Sequence, residues 1–528
     1  MVRIYLTIPV LVVSLAIALA GCGSNAGSSD AGSSSSFDAG SSLAKFASPG
    51  SVVFVEGEVK PEGEMKSNVD SITSTLTGED NLGKFVASKL KDAALENGET
   101  FNYQREVEPW LGKAAGVAFK EVEASGDLSP PLIMIETEDK DATLKFLETH
   151  VKGSGKDYEY TSYNYVGINT GGPERNSIGV FDGALVIADN KATFKAAITA
   201  TDGKSLADEA HFADAISAAS EASFAKVYVD VGEAIEQSGN EFDQAKEVLE
   251  SSGIDPSEAT AVASVIPGAD QIEVDLSSDL GGEKAPSGDV SKLLGTMPAG
   301  AVAAFAVSGF GEQLEEAIDN LDESGTESGL PPNKLKSTLS EAGIDLDKIA
   351  ASLEDAAVYV EGSDTESLGG AMVVTADGEE AGEAIAGLGT LLRGAKVPGV
   401  TAVSGKASGF SLRGEELGRK PLVVIAEGGR IAIGYGLPET LRGLEAGSGA
   451  TLSGNAAYKD AVSSLRNTPI SAFVDGASAL SLAEALVPRS KTDFWEAVPY
   501  LKKIDYLALG AGDSDELATA KLIAGLEK

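Results

Sequence analysis

The chain has 528 residues, 43% of them hydrophobic, with 41 basic and 81 acidic side chains and a formal charge of −40. Phosphate-rich partners need clustered lysine and arginine, and no dense basic run is present, so the balance excludes nucleic acid and sets the body as a whole against an anionic surface. The hydrophobic fraction is that of a globular chain rather than a disordered one, and the charge reads as a solvated surface rather than a means of collecting cations.

In chain order, Arg3 precedes an apolar run from Ile4 to Ala20 that contains Pro9 and ends in small residues. The run falls short of the ~20 apolar residues that a membrane span needs, so residues 1–21 are expected to be a cleaved signal peptide. Leu19-Ala20-Gly21-Cys22 resembles the bacterial lipoprotein signal, in which the cysteine receives a diacylglyceryl group and the chain is cut just before it. Cys22 is therefore the expected lipid attachment and first mature residue. As the chain's sole cysteine, it leaves no thiol for a disulfide or a metal site. Two or three acyl chains hold stably where one is marginal. The implied location is extracytoplasmic, on the outer face of the cytoplasmic membrane, or at the outer membrane of a two-membrane cell.

From Cys22 to Ala44 the chain is mostly Ser, Gly, Ala and Asp, too poor in large apolar side chains to offset its ordering entropy, and is expected to be a flexible tether. A coil of that length has a mean reach of roughly 25 Å.

The remainder reads as one layout written twice. Ser48-Pro49-Gly50 before Val52 to Val55 matches Met297-Pro298-Ala299 before Ala301 to Val307, and Trp110-Leu111-Gly112 before Ala115 to Phe119 matches Leu353-Glu354-Asp355 before Ala356 to Val360. Further on, the offset settles at 246 residues. Ile178 to Ala188 falls on Val424 to Gly434, Phe212 on Tyr458, Asp214 on Asp460, and Ile272, Val274 and Leu276 on Ala518, Ala520 and Leu522. The expected boundaries are a first repeat at 45–280, a linker at 281–294 and a second repeat at 295–528. Leu82, Phe85, Val86, Leu90 and Ala93 mark one amphipathic helix, and Leu314, Ala317, Ile318 and Leu321 its counterpart. Asp182-Gly183 and Gly428-Gly429 are hairpin signals. The expected class is α+β: two tandem homologous domains, each a mostly antiparallel sheet with helices covering one face.

Pro49 and Pro298 before hydrophobic strands, Trp110-Leu111-Gly112, Tyr165-Val166-Gly167, and His211-Phe212-Ala213-Asp214-Ala215 ahead of Val227-Tyr228-Val229-Asp230 resemble the bacterial envelope proteins grouped as domain of unknown function 3352. The resemblance extends over residues 46–528. It implies an envelope setting and brings no activity, cofactor or catalytic residue. The second repeat lacks the Trp and the Tyr-Val-Gly segment.

The chain has two histidines, His150 and His211, and both read as structural. His150 complements a helix C-terminus, and His211 falls on Ala457 in the second repeat. Zinc sites draw chiefly on Cys and His, so no metal and no cofactor are expected. Asp513, Asp515 and Glu516 suit a turn between the last two strands better than a calcium loop, and Gly309-Phe310-Gly311 lacks the rest of a nucleotide motif.

One local anomaly stands out. Tyr158, Tyr160, Tyr163 and Tyr165 place four tyrosines within eight residues, while the aligned Ser404 to Ser411 has none. If exposed, they form a rigid platform for a sugar or a peptide; the alternative is that tyrosine simply favours strands. The functional expectation is a non-enzymatic, membrane-anchored binding or scaffold module with an envelope glycan, peptide, lipid or protein as partner. The alternatives are a carrier for an apolar ligand in a sheet–helix cleft and a hydrolase working through carboxylates alone.

Overall fold

A computed structural model describes residues 43–80, 103–122, 128–152, 165–167, 177–188, 190–237, 257, 259–279, 288–324, 336–337, 340, 344–378, 380–445, 447, 449–513 and 518–527. Cys22, Tyr158, Tyr160, Tyr163, Asp515, Glu516 and the expected helix around Leu82 to Ala93 lie outside them.

In the first half the strands are β1 (Val53–Glu58), β2 (Leu111–Phe119), β3 (Leu132–Thr137), β4 (Tyr165–Gly167), β5 (Ser177–Phe181), β6 (Ala184–Ala188), β7 (Ala225–Asp230), β8 (Thr260–Pro267) and β9 (Gln271–Asp279). They pair in the order β4-β5-β6-β3-β2-β1-β7-β8-β9. The second half has β10 (Ala301–Val307), β11 (Leu353–Glu361), β12 (Gly369–Ala376), β13 (Val400–Val403), β14 (Ser408–Leu412), β15 (Leu422–Glu427), β16 (Arg430–Tyr435), β17 (Ile470–Asp475), β18 (Ile504–Asp513) and β19 (Ala518–Leu526). These pair as β13-β14-β15-β16-β12-β11-β10-β17-β18-β19, the same layout with one more described strand at the end. Every pairing is antiparallel, so the class is α+β, as the hairpin spacing implied.

The repeats do not form two separate sheets. β9 pairs with β19 and closes a single sheet of 19 strands. In that ladder Asp275 lies opposite Lys521, and these positions are themselves 246 apart; on either side the equivalences cross, with Val274 facing Leu522 and Leu276 facing Ala520. An antiparallel pair in that register has a local two-fold axis normal to the sheet, passing through Asp275 and Lys521.

The two hairpin signals fold as expected. Asp182 and Gly183 have φ of 49° and 84°, and Gly428 and Gly429 have 58° and 75°, so both turns hold two consecutive left-handed residues, as a two-residue hairpin requires.

Helices cover both faces of the sheet rather than one. On one face Phe54, Met134, Tyr228 and Val262 pack with Phe46, with Phe194 of the helix Lys191–Asp202 and with Phe212 of the helix Ala210–Ser217. Their strand neighbours Val53, Val227, Val229 and Ala263 point the other way, against Ala234 and Ile235 of the helix Val231–Gln237. The second half repeats the first of these cores, with Tyr458 of the helix Ala456–Leu465 over Phe473. The ring pairs Phe212–Tyr228 and Tyr458–Phe473 are both edge-to-face, at 5.0 and 5.3 Å, with the hydroxyl exchanged between helix and strand. The expected helix through Leu314 and Ile318 is present as Phe310–Ser324, with Ile318 buried.

Two boundaries move. Leu43, Ala44 and Phe46 are fully buried, so the fold includes residues assigned above to the tether, and the core of the first repeat begins ahead of position 45. Likewise Val290, Leu293 and Leu294 are buried against the second repeat, so the latter part of the expected linker 281–294 is core. In both places a short apolar segment plugs the end of a helix–sheet layer, and its small size hid it among Ser, Gly and Ala. Truncating Leu43 to Ala is expected to cost about 2–4 kcal/mol, as for a buried leucine, whereas a tether residue would cost nothing measurable. Urea unfolding of the Leu43→Ala protein reads the difference.

Candidate functional site

The main row of buried and half-buried charge among the described residues runs across the sheet to the two-fold axis. Reading across the sheet on the face that carries Phe54 and Tyr228, cross-strand partners run Glu56, Lys226, Ser264, Asp275, Lys521. Glu56, Lys226, Ser264 and the adjacent Glu273 are buried, at 5% exposure or less. Strands with the apolar–polar alternation of a half-solvated sheet put these residues inward, because the helices Ala210–Ser217 and Ala456–Leu465 cover β8, β9, β18 and β19 on this face.

The electrostatics follow from that burial. Lys521 bridges two carboxylates, bonding Glu273 and lying 3.2 Å from Asp275 Oδ1. That Asp275 oxygen is buried and accepts no well-directed hydrogen bond. Loss of water pushes the Asp275 carboxyl up to about 6; Lys521 pulls it back down and Glu273 adds to the rise. On the neighbouring pair, burial pushes the Lys226 ammonium down while Glu56 and Glu221 hold it up. One ammonium between two carboxylates at the seam leaves a single excess negative charge, which a proton on Asp275 removes. The arrangement is a proton-accepting junction.

A cleft of ≈560 Å³ opens beside the seam, lined by Asp270, Asp460, Asp505, Glu527, Ser464 and Tyr506. Tyr506 Oη and Ser464 Oγ are 2.9 Å apart, and burial, with the surrounding carboxylates, raises the phenol. Among the described residues no group of three Cys, His, Asp or Glu side chains is placed to hold a metal.

A second charged knot is structural. Lys420 Nζ donates to Glu439 Oε1 and to the carbonyls of Ser367 and Leu368, at 2.9 Å each, which ties the β11–β12 loop to the start of the helix Leu437–Leu444. Gly436, at φ 101°, is required there, since a Cβ would stand 2.1 Å from Glu439 Oε2.

The residues singled out from the sequence scatter. Tyr165 opens β4, opposite Gly179 on β5; the other three tyrosines lie outside the described residues. His211 is exposed, and nearby the half-buried Asp230, which accepts from the Glu233 N–H at the start of the helix Val231–Gln237, has its carboxyl pushed above the usual range by burial. His150 falls in the helix Lys140–Lys152. Asp513 ends β18.

Trp110 is core, its indole N–H donating to Glu106 O at 2.7 Å and its ring 5.6 Å from Phe146. The Trp-Leu-Gly run starts a register shift between β2 and β3, where Glu136 accepts from the N–H groups of Lys113 and Ala114. Gly112 is needed because a Cβ would meet Glu136 at 2.6 Å. The seam itself was not singled out, although the offset of 246 already places an acid and a base at equivalent positions.

Two outcomes follow. As pH falls through about 6, folded Asp275 takes up a proton that the unfolded chain binds only near 3.9, so this group adds stability on acidification. Asp275→Asn is expected to be more stable than the parent at pH 8, by roughly 1–2 kcal/mol, with the difference vanishing near pH 4 in denaturant titrations. Lys521→Met strands Glu273 and Asp275 together and is expected to cost about 3–5 kcal/mol at pH 8.

No curated protein matches the chain. Two solved structures, crystal forms I and III of TP0453, are similar to it at a TM-score of 0.25 and 11% identity, over 47% and 46% of this chain and 81% of theirs. The model of a family described as protein of unknown function, DUF3352, matches residues 86–401, more than half of the chain and across the joint between the repeats, so the chain belongs to the DUF3352 family.

Proposed function

We propose that this protein is an extracytoplasmic lipoprotein, anchored through acyl chains on Cys22, whose duplicated body serves as a non-enzymatic binding or scaffold module of the cell envelope. The carrying observation is the Leu19-Ala20-Gly21-Cys22 signal behind an apolar run, followed by a Ser- and Gly-rich stretch up to the first core side chain, Leu43. A body supported by cores on both sheet faces, with its buried charges spent on the seam and on the Lys420 knot, has the build of a rigid platform. Among the described residues no helix is long and apolar enough to cross a membrane. In this reading Tyr158, Tyr160, Tyr163 and Tyr165 are the platform for an envelope glycan or peptide.

The carrier reading draws on one feature, a cleft of ≈800 Å³ whose lining includes Ile344, Ile349 and Leu391 beside Asp345, Lys348 and Glu383.

Metabolic labelling with an alkyne fatty acid tests the anchor. The parent is expected to take up label and float with membranes, and Cys22→Ala to lose both. Equal labelling of the two would end the lipoprotein reading.

A further inference from the structure

The hairpin of helices Gly476–Leu486 and Thr492–Leu501 departs from the rest of this acidic molecule. Its connecting turn carries Arg489 and Lys491 with no acidic residue between Val487 and Thr492, and Lys502 and Lys503 follow the second helix. From Leu486 to Trp495 two basic residues, Arg489 and Lys491, stand against one acidic residue, Asp493, in a chain whose acids outnumber its bases two to one, while Lys502 and Lys503 pair with Glu484 and Glu527. The same hairpin exposes large apolar side chains: Leu486 at 45% and Tyr500 at 44%.

The turn is built, not loose. Arg489 stacks 3.7 Å from the Trp495 ring centroid, the Trp495 indole N–H donates to Pro488 O at 3.2 Å, and Phe494 packs edge-on to Trp495 at 5.1 Å. Those contacts hold an aromatic residue and a cation together at the turn that follows Leu486. Tryptophan and tyrosine beside lysine and arginine are what the interface of a bilayer accepts, with rings at headgroup depth and cations on the phosphates.

We infer that the tip of this hairpin, Leu486 to Trp495, docks on an anionic lipid surface and gives the protein a second contact with the membrane, independent of Cys22. Charge complementarity selects that occupant: the local excess of positive charge suits anionic headgroups, while the remainder of the body is repelled and stays clear. Each basic residue close to such a surface favours contact by about fivefold, so the effect is reversible, salt-sensitive and too weak to act without an anchor. The inference takes the membrane proximity proposed above as its setting.

The chain's two tryptophans make the test specific, because Trp110 is 3% exposed and Trp495 is half-buried at the turn. The acylated protein is reconstituted on vesicles of phosphatidylcholine alone, or with phosphatidylglycerol, each containing brominated lipid. Flotation reports the anchor, and tryptophan quenching reports the tip. The expected result is quenching and a blue shift on the anionic vesicles only, both lost at high salt and absent in Trp495→Phe. Lys491→Glu with Leu486→Ser leaves the Arg489–Trp495 stack in place and is expected to abolish quenching without loss of flotation. Floating protein whose Trp495 is unquenched on anionic vesicles would overturn the inference, as would equal quenching on neutral ones. Protein that fails to float overturns the anchor instead.

Discussion

The pairing of β9 with β19 is the constraint on which the molecule depends. Each repeat ends on a strand with a free hydrogen-bonding edge, and an exposed edge of nine residues is a template for association with any other chain. Here the edges satisfy one another in a ladder from Gln271 to Ser278 against Gly525 to Ala518. The duplication therefore supplies each copy with the partner its last strand needs. A register slip of one residue would turn Leu276 and Ala520 out of the core and Glu273 away from Lys521, so the pairing is specified from both faces.

Burying Glu273, Asp275 and Lys521 at that joint carries a desolvation penalty that apolar residues of similar size would avoid. What the charges supply is discrimination. A two-fold axis brings equivalent positions face to face, and two identical repeats would set like charges against each other at 275 and 521. Asp at 275 and Lys at 521 put attraction in the place of that repulsion, which favours pairing between these unlike strands over pairing between like ones. The row continues through Ser264 to Lys226 and Glu56, so acid and base alternate at its two ends across the first repeat and the seam.

Much of the fold was legible in the sequence. The antiparallel pairing, the helix through Leu314 and Ile318 and the two hairpin turns followed from local signals: turn residues at fixed offsets between apolar runs and helical spacing of apolar residues. The helices on the second face were missed although a sign was present, since Val52-Val53-Phe54-Val55 and Val227-Tyr228-Val229 are apolar at both parities, as strands buried on both sides must be. The core start at Leu43 was hidden by small neighbours. The seam was beyond reach because it joins residues almost half the chain apart, and a local reading of β9 sees only acids alternating with apolar residues. Of the site residues, the tyrosine stretch falls largely outside the described residues; Trp110, which carried part of the family resemblance, is core packing beside a register shift.

A sheet of 19 strands spaced about 4.8 Å apart extends on the order of 85 Å along its hydrogen bonds, some three times the thickness of a bilayer's hydrocarbon core. Phe46 packs against Phe181 of β5, close to one end of that span, and β13 stands at the other. Among the described residues the two halves share one strand pair, β9 with β19, so a load applied between those ends has to pass through that ladder.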